Sequence, residues 1–323
     1  MENPSLAELL ESVKEYGGLT RKASIGPWAR RFVARARMTP DVYGPGDDAG
    51  AVRMDGGFLL LSGEGLWPGL LADPEFAGFC AVTVNVNDIY AMGGRPLGLV
   101  TVVFEGGMDE VVRDAFLDGI ESGLDHYKVP LLGGHTSPEG EAPAVAVCIA
   151  GRADNLLRAD GARPGDAIVA ALDLDGERHH PFHVWDSVTS CESSTTMGRL
   201  ETFVEIADRR LASACRDVSN PGILGTIAMM LEASRAGGTL DLDALPVPDS
   251  VDLDWWLKAY PSFGFVLAAR PDREGEMLAL LRSRGITCER IGEVREGSSV
   301  AVTLRGEIGT FTDWENDPVT GIY

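Results

Sequence analysis

The segment Phe76–Pro96, FAGFCAVTVNVNDIYAMGGRP, limits the possible folds more than any other stretch of the chain. Asp73, Pro74 and Glu75 precede it and supply an N-cap, a first-turn proline and a carboxylate for the positive end of a helix dipole. Gly93-Gly94 and Pro96 supply the stop. Between them Phe79, Cys80, Val82, Val84, Val86, Ile89 and Met92 leave no polar face, and a helix apolar all round is a buried helix. Asn85, Asn87 and Asp88 nevertheless lie inside it, with Asn85 and Asp88 on one face. A buried carboxylate needs compensation. A divalent cation, an arginine partner or a helix end open to solvent would each provide it.

The rest of the chain bounds the answer. A length of 323 residues suggests two domains, and 45% apolar with 24% charged residues describes a soluble globular protein. Lys+Arg 28 against Asp+Glu 49 leaves a net charge of −21, which argues against nucleic acid or an anionic membrane as partner. A phosphorylated ligand would then depend on metal ions, backbone amides or helix N-termini more than on lysines. The 5 cysteines are scattered without a CxxC pair, as in a reducing compartment. No apolar run approaches the roughly 18 residues of a membrane span, and the acidic, amphipathic N-terminus is unlike a signal peptide. A cytoplasmic protein is expected.

Along the chain, Asn3 and Pro4 open a first helix with Leu6, Leu9, Leu10 and Val13 as its stripe. A basic link containing Arg21 and Lys22 leads to a second helix near 27–37 with Arg30, Arg31, Arg35 and Arg37, a solvated face or a phosphate contact. Strands at 51–54 and 58–62 around Asp55-Gly56-Gly57 read as a hairpin. After the buried helix come a strand at 97–104, a helix at about 108–127, and strands at 129–132 and 144–150. Periodicity fades over 152–165, which divides the chain into domains 1–155 and 156–323. Beyond it follow a strand at 167–172, a polar loop at 173–199 and helices at about 200–214 and 223–236. The last third reads as strand 263–269, helix 274–284 and strands 287–294, 299–304 and 307–311. Strands alternating with helices indicate two α/β layers.

Several motifs could carry chemistry. Gly46-Asp47-Asp48-Ala49 sets two carboxylates on a glycine loop, either an exposed turn or a site for a hard cation. Glu64 ends the hairpin and Asp88 sits on the adjoining helix, so the set can converge at one end of a sheet, as a Mg²⁺ site requires. Gly133-Gly134-His135-Thr136 follows an apolar strand, where free amides can approach an anion. Asp217 to Gly225 opens a helix after a small-residue turn, a place for a phosphate or for ordinary capping by Ser219 or Asn220. His179, His180, His183 and Cys191 lack zinc spacing and fit a substrate-contacting loop better. The chain has no GxxxxGK[ST], no GxSxG and no GxGxxG after a strand.

Taken in order, GDDA, the segment Asn85–Pro96 (NVNDIYAMGGRP), GGHT, Gly161–Asp166 (GARPGD) and Asp217–Gly225 resemble the AIR synthase-related (PurM-like) superfamily. That superfamily includes aminoimidazole ribonucleotide synthetase, thiamine-monophosphate kinase, selenophosphate synthetase and HypE. The resemblance implies an α/β, two-domain PurM-like fold whose N-terminal sheet pairs across a homodimer interface into a barrel, followed by a C-terminal α/β domain. It implies ATP and Mg²⁺ as cofactors: Asp47, Asp48, Glu64 and Asp88 on the metal, and Asp47, Asp48, Asn85, Asn87, Asp88, Gly133, Gly134 and Thr136 on the nucleotide. Asp217 and His135 would be catalytic. His183, Trp185 and Asp186, from the 173–199 loop, are the expected contacts to a small-molecule substrate.

The chain also departs from the family pattern. Glu64 replaces an expected aspartate, and the glycine turn after the GARPGD strand becomes Ala170–Gly176 (AALDLDG). No cysteine precedes Cys80, so selenide chemistry is not expected. Lys22 is placed to cover phosphates. The reading is a Mg²⁺- and ATP-dependent enzyme, a kinase or an ATP-activated synthetase. The altered 170–176 turn keeps open an alternative, a catalytically reduced nucleotide-binding subunit of a larger complex.

Overall fold

The computed structural model describes residues 4–322, with Arg37 as backbone only. Asn3, expected to cap the first helix, lies outside the described residues. Helix α1 (Leu6–Lys14) is instead capped by Ser5. The Ser5 hydroxyl accepts from Glu8 N at 3.3 Å and Ser5 N donates to the Glu8 carboxylate at 2.8 Å, a reciprocal capping box. Its apolar stripe is buried as expected. Helix α2 (Gly17–Thr20), a 3-10 turn (Arg21–Ser24) and helix α3 (Ile25–Met38) follow.

The first sheet has six strands: β1 (Val42–Tyr43), β2 (Gly50–Met54), β3 (Gly57–Gly65), β4 (Arg95–Phe104), β5 (Leu131–Ser137) and β6 (Ala144–Ala153), in the order β1-β2-β3-β6-β4-β5. Among the described residues of this sheet only β4 and β5 pair in parallel. The hairpin expected at 51–62 is β2–β3, with Ala51 opposite Leu60. Helices α4 (Pro74–Ala91) and α5 (Glu110–Tyr127) cover one face. They cross at glycines: a Cβ on Gly78 would fall 2.1 Å from Phe116 O, and one on Gly119 would fall 1.9 Å from Glu75 O. On the other face Leu61, Val100 and Phe104 are exposed, as are Leu131 and Leu132 on β5. The sheet is open within one chain, with β1 and β5 as its edges, so the barrel expected from the resemblance is not closed by this chain.

The second half contains β7 (Ala167–Leu172), β8 (Glu177–His179), β9 (Val184–Asp186), β10 (Ala214–Asp217), β11 (Gly237–Asp241), β12 (Tyr260–Pro261), β13 (Gly264–Ala269), β14 (Thr287–Arg295), β15 (Ser299–Leu304) and β16 (Glu307–Asp313). Helices α6 (Ser193–Asp208), α7 (Gly222–Ser234), α8 (Leu253–Lys258) and α9 (Glu274–Ser283) accompany them. Seven strands form one sheet in the order β10-β13-β7-β14-β11-β15-β16. Strand β7 is buried on both faces. Val169 and Ala171 join the core that includes α4, α5, α6 and α9, while Ile168, Ala170 and Leu172 join the core that includes α1, α7 and α8. Among the described residues no helix is long and apolar enough to cross a membrane.

Three expectations are corrected. The 173–199 loop contains the antiparallel pair β8–β9, extended by β12 into a small sheet, and the start of α6. The helix expected at 200–214 runs from Ser193 to Asp208, and the short apolar run after it is the strand β10, which length and periodicity alone did not separate from a helix. GGHT lies within β5 rather than after it: Gly133, Gly134, His135 and Thr136 pair with Val100 to Val103 of β4. One edge of that backbone is therefore held in the ladder, not free as a loop would be.

Candidate functional site

A cavity of about 770 Å³ opens between the two halves. Its polar end is built from three pieces: the GDDA loop before β2, the last turn of α4, and the end of β10. The loop turns on Gly44 and Gly46, at φ +108° and +121°, conformations that suit glycine. Asp48 is fixed by the second half. Arg216 Nη2 lies 2.6 Å from Asp48 Oδ1, Asp217 N donates to Asp48 Oδ2 at 3.2 Å, and Arg216 Nη1 donates to Gly46 O at 2.9 Å. Asp47 accepts from Ala159 N at 2.5 Å, with Arg158 Nε at 3.7 Å. Both aspartate side chains are at most 5% exposed. Among the described residues the Asp88 side chain has a single hydrogen-bond partner, Ser62 Oγ at 2.5 Å, and that hydroxyl also lies 3.0 Å from Asp48 O.

These carboxylates hold protons more tightly than usual. Burial pushes Asp88 well above the ordinary range, and the charges of Asp217, Glu64 and Asp48 add to the shift. Asp217 is pushed well up by burial and by Asp48, against the pull of Arg216 and Lys22. Asp48 is raised by burial in spite of Arg216. Asp47 is pushed up to about 7, chiefly by burial, with the Ala159 amide opposing. Glu64 remains open to solvent, yet is raised by partial loss of hydration, with Lys22 opposing and Asp48 adding. Burial lowers Lys22, which faces the same group of charges. Asp48, Glu64, Asp88 and Asp217 thus share one cavity with Lys22 and Arg216, and the acids outnumber the bases. Such a set gains from added positive charge.

Among the described residues no three His, Cys, Asp or Glu side chains form a ready-made metal site. The donors still suit a small hard cation, which commonly takes one or two protein carboxylates and fills its remaining positions with water and phosphate oxygens. Among the described residues the cavity's Glu64 and Asp88 form no ion pair with an arginine, lysine or histidine, while Asp217 feels Arg216 and Lys22 as well as its acidic neighbours.

The opposite end is apolar and aromatic. Cys80, Val84, Phe182, Val184 and Tyr260 pack as one cluster and line the cavity, with His183 beside them. Both chain ends contribute walls: Tyr16, Lys22 and Ala29 from the first segment, Thr320 and Ile322 from the last. The last segment is held by Glu232 of α7, 1% exposed, which accepts from Val319 N, Thr320 N, Thr320 Oγ1 and Gly321 N at 2.7–3.0 Å. Arg30 of α3 donates to Gly321 O from the other side.

The expected site residues divide accordingly. Asp47, Asp48, Glu64, Asp88, His183 and Asp217 are brought to the cavity. Asn85 and Asn87 are not: Asn85 Nδ2 donates to Ala81 O at 2.9 Å and Asn87 Nδ2 donates to Ser262 O at 3.0 Å, so both are spent on packing. Gly133, Gly134, His135 and Thr136 lie on the exposed edge strand, with the His135 ring 6.0 Å from that of Phe104. Trp185 is 1% exposed and donates to Asp173 O, while Asp186 accepts from Val188 N and Thr189 N. Both are buried, and neither lines the cavity. His179, weighed for zinc, lies 2.9 Å from Asp73 Oδ2 and stacks on Phe76 at 3.4 Å between ring centres. Sequence reasoning missed Arg216, Ser62, Tyr260 and Glu232. Arg216 adjoins the Asp217 motif and was within reach; the others carry no local signal.

Two family models match the chain: the N-terminal domain of AIR synthase related proteins over residues 46–153, and the C-terminal domain over 165–305. An uncharacterized protein of Synechocystis is 34% identical, covering 98% of this chain and 98% of its own length. A thiamine-monophosphate kinase of Pyrococcus abyssi is 29% identical, over 64% of this chain and 68% of its own. The structure of T. maritima PurL complexed with ATP superposes with a TM-score of 0.72 at 20% identity, covering 95% of this chain; this chain spans 51% of that one. At that identity the likeness establishes the shared mixed α/β, two-domain PurM-like fold.

Proposed function

The chain belongs to the AIR synthase related family, and from that premise we propose that it is a Mg²⁺- and ATP-dependent enzyme that transfers or activates a phosphoryl group on a small molecule. The observation that carries this reading is the set of buried acids, Asp48, Asp88 and Asp217 with Glu64, around one cavity whose charge is not balanced from within. A kinase among the relatives and a fold neighbour that holds ATP support it.

In this reading Glu64, Asp88 and Asp47 or Asp48 would hold Mg²⁺. A bound Mg²⁺ supplies charge neutralisation for the phosphates and a template for their orientation. Arg216 orients Asp48 and keeps the loop closed on the end of β10. Lys22 brings a cation to the phosphate side from a segment outside both family matches. Asp217, with its raised proton affinity, is the candidate acceptor for a proton from the small molecule. The apolar end excludes water around that molecule.

The same reading includes a homodimer. The exposed face with Leu61, Val100 and Phe104 suits a second copy of this sheet. The strand carrying Gly133–Thr136 would then belong to the interface, the setting in which His135 and its neighbours would reach a nucleotide. Sedimentation should report a dimer for the native chain and a monomer for Val100→Asp.

Calorimetry with ATP and Mg²⁺, followed by turnover across an acceptor panel, tests the activity. Binding with turnover on one acceptor is expected. No ATP binding at all would sink the reading. Binding without turnover on any acceptor would favour the catalytically reduced subunit.

A further inference from the structure

Trp67 is 55% exposed and lines the cavity. Trp28 of α3 is more exposed still, at 75%, but lines no part of it. Trp67 is also held in place by its neighbours. Pro68 follows it and restricts its backbone to the extended region, where it lies at φ −64° and ψ 123°. The indole lies over Gly69, in the 3-10 turn Pro68–Ala72. A Cβ on Gly69 would fall 2.2 Å from Trp67 Cη2 and 2.3 Å from Cζ2, so only glycine leaves room for the ring in this position.

Phe182 completes the wall from the second half of the chain. It sits in the turn between β8 and β9 and lines the same cavity. Its ring meets that of Trp67 at a right angle, with centres 6.4 Å apart and planes at 89°. Phe76 and His179 lie parallel to Phe182, with ring centres at 6.2 Å and 6.0 Å. His179 is in turn tied to Asp73 Oδ2 at 2.9 Å. Both rings of the corner are therefore fixed by the fold, and both present surface to one cavity.

Two rings at right angles define what fits against them. A flat ring laid parallel to one stands perpendicular to the other. It can stack on the first and meet the second at its edge, the two arrangements that aromatic pairs favour. A saturated ring of the same size covers similar apolar area but has no π-face for either contact. The corner also lies close to the carboxylates. Trp67 is three residues from Glu64, at most about 11 Å along the backbone, and both line the cavity. A molecule whose ring rests on the corner needs only a short arm to reach the acids.

We propose that Trp67 and Phe182 form a subsite for a planar aromatic or heteroaromatic ring of the small-molecule substrate, joined by a short arm to the group that reacts at the carboxylate end. The subsite rests on the proposed function in calling its ligand the substrate.

Benzyl alcohol and cyclohexylmethanol carry the same arm on a flat and a puckered ring, and their binding to the full chain can be compared by ligand-observed NMR. The saturated probe is the more apolar, so a wall that offered only apolar area would prefer it. The subsite should reverse that order and bind benzyl alcohol about fivefold more tightly. Trp67→Leu should abolish the preference and Phe182→Leu should reduce it, while Trp28→Leu should leave it unchanged. Gly69→Ala keeps the indole but displaces it, and should reduce the preference as well. Melting curves check that each variant is folded. Equal binding of the two probes by the native chain, a preference for cyclohexylmethanol, no binding of benzyl alcohol, or a preference that survives Trp67→Leu would each overturn the subsite. Benzyl alcohol should stay bound when ATP and Mg²⁺ are added; its displacement by ATP would give the corner to the nucleotide base and overturn the assignment to the substrate. Calorimetry on the same samples keeps the two proposals apart. A native chain that prefers benzyl alcohol but binds no ATP sinks the proposed enzyme and leaves the aromatic corner standing, whereas ATP binding without the probe preference sinks the subsite alone.

Discussion

Helices α4 and α7 are alike in what they bury and opposite in how they treat it. Each is apolar on nearly every side and each carries a buried carboxylate in its last turn, Asp88 in α4 and Glu232 in α7. Glu232 accepts four hydrogen bonds, three from backbone amides and one from a hydroxyl, all supplied by residues 319–321. Among the described residues Asp88 has one hydrogen-bond partner, Ser62, and three acidic neighbours that oppose its charge. A buried charge fully met from within is a staple: it ties the end of the chain to the second half. One left unmet beside a cavity is held ready for something from outside. Burial alone does not mark a site, since both are buried; the number of unused acceptor positions does.

Removing Glu232 should have the largest effect. Glu232→Ala leaves three buried or half-buried amides and the Thr320 hydroxyl without this acceptor, a loss of roughly 3 kcal/mol. Chemical denaturation would measure it, and hydrogen exchange should rise first at 319–321. A loss below about 1 kcal/mol would mean that the last segment is not stapled, and the contrast with Asp88 would fail.

Asp88→Asn should act in the opposite direction on the ligand-free protein. Removing a charge opposed by Asp217, Glu64 and Asp48 is expected to stabilise it by about 1 kcal/mol near neutral pH. The same change should weaken Mg²⁺-dependent ATP binding roughly a hundredfold, about 2.7 kcal/mol. Calorimetry and a melting curve on one sample decide the matter. Lower stability with unchanged ATP binding would make Asp88 a second staple.

The two carboxylates also differ in how far the sequence announced them. Asp88 was legible because the helix around it is apolar on every side, is flanked by its own cap and stop, and carries the NDIYAMG pattern. Its cavity neighbours stood out for separate reasons: Asp47 and Asp48 as adjacent carboxylates on a glycine loop, Glu64 at the end of the hairpin, and Asp217 before a helix opened by a small-residue turn. Glu232 was not legible: its partners lie 87–89 residues further on, and nothing local distinguishes it from a solvent-facing glutamate. Tyr260 was hidden for the same reason, since only the pairing of β12 with β9 sets it beside His183. GGHT misled because two glycines suggest a loop, while pairing with β4 draws them into a strand. Local patterns revealed the elements and the charged end of the cavity. The aromatic end and the staple depend on long-range contacts.

The pH dependence should follow the buried acids at the polar end of the cavity. Asp47, raised from 3.8 to about 7, binds more protons in the folded state than in the unfolded state between those values. Stability of the ligand-free protein should therefore fall as pH rises from about 4 to about 7, and level off above. Asp48, Asp88 and Asp217 shift in the same direction and extend the decline upward. Asp47→Asn should flatten the slope between pH 5 and 7 by on the order of 1 kcal/mol per pH unit at most. Melting curves across that range with no slope in the native chain would show that the acids are already compensated.

The smallest effect is expected at Asn85, one helical turn before Asp88 and apparently its equal in sequence. Its Nδ2 is bonded within the helix to Ala81 O, its Oδ1 has no partner among the described residues, and it does not line the cavity. Asn85→Ala deletes a half-satisfied amide and leaves a small void, two terms of about 1 kcal/mol and opposite sign. Stability should move by less than about 1 kcal/mol, and the ATP dissociation constant by less than about twofold. A large loss of ATP binding would restore Asn85 to the nucleotide site and would require α4 to expose a different face when ligand is bound. A null result would confine the helix's contribution to Asp88, the buried carboxylate of α4.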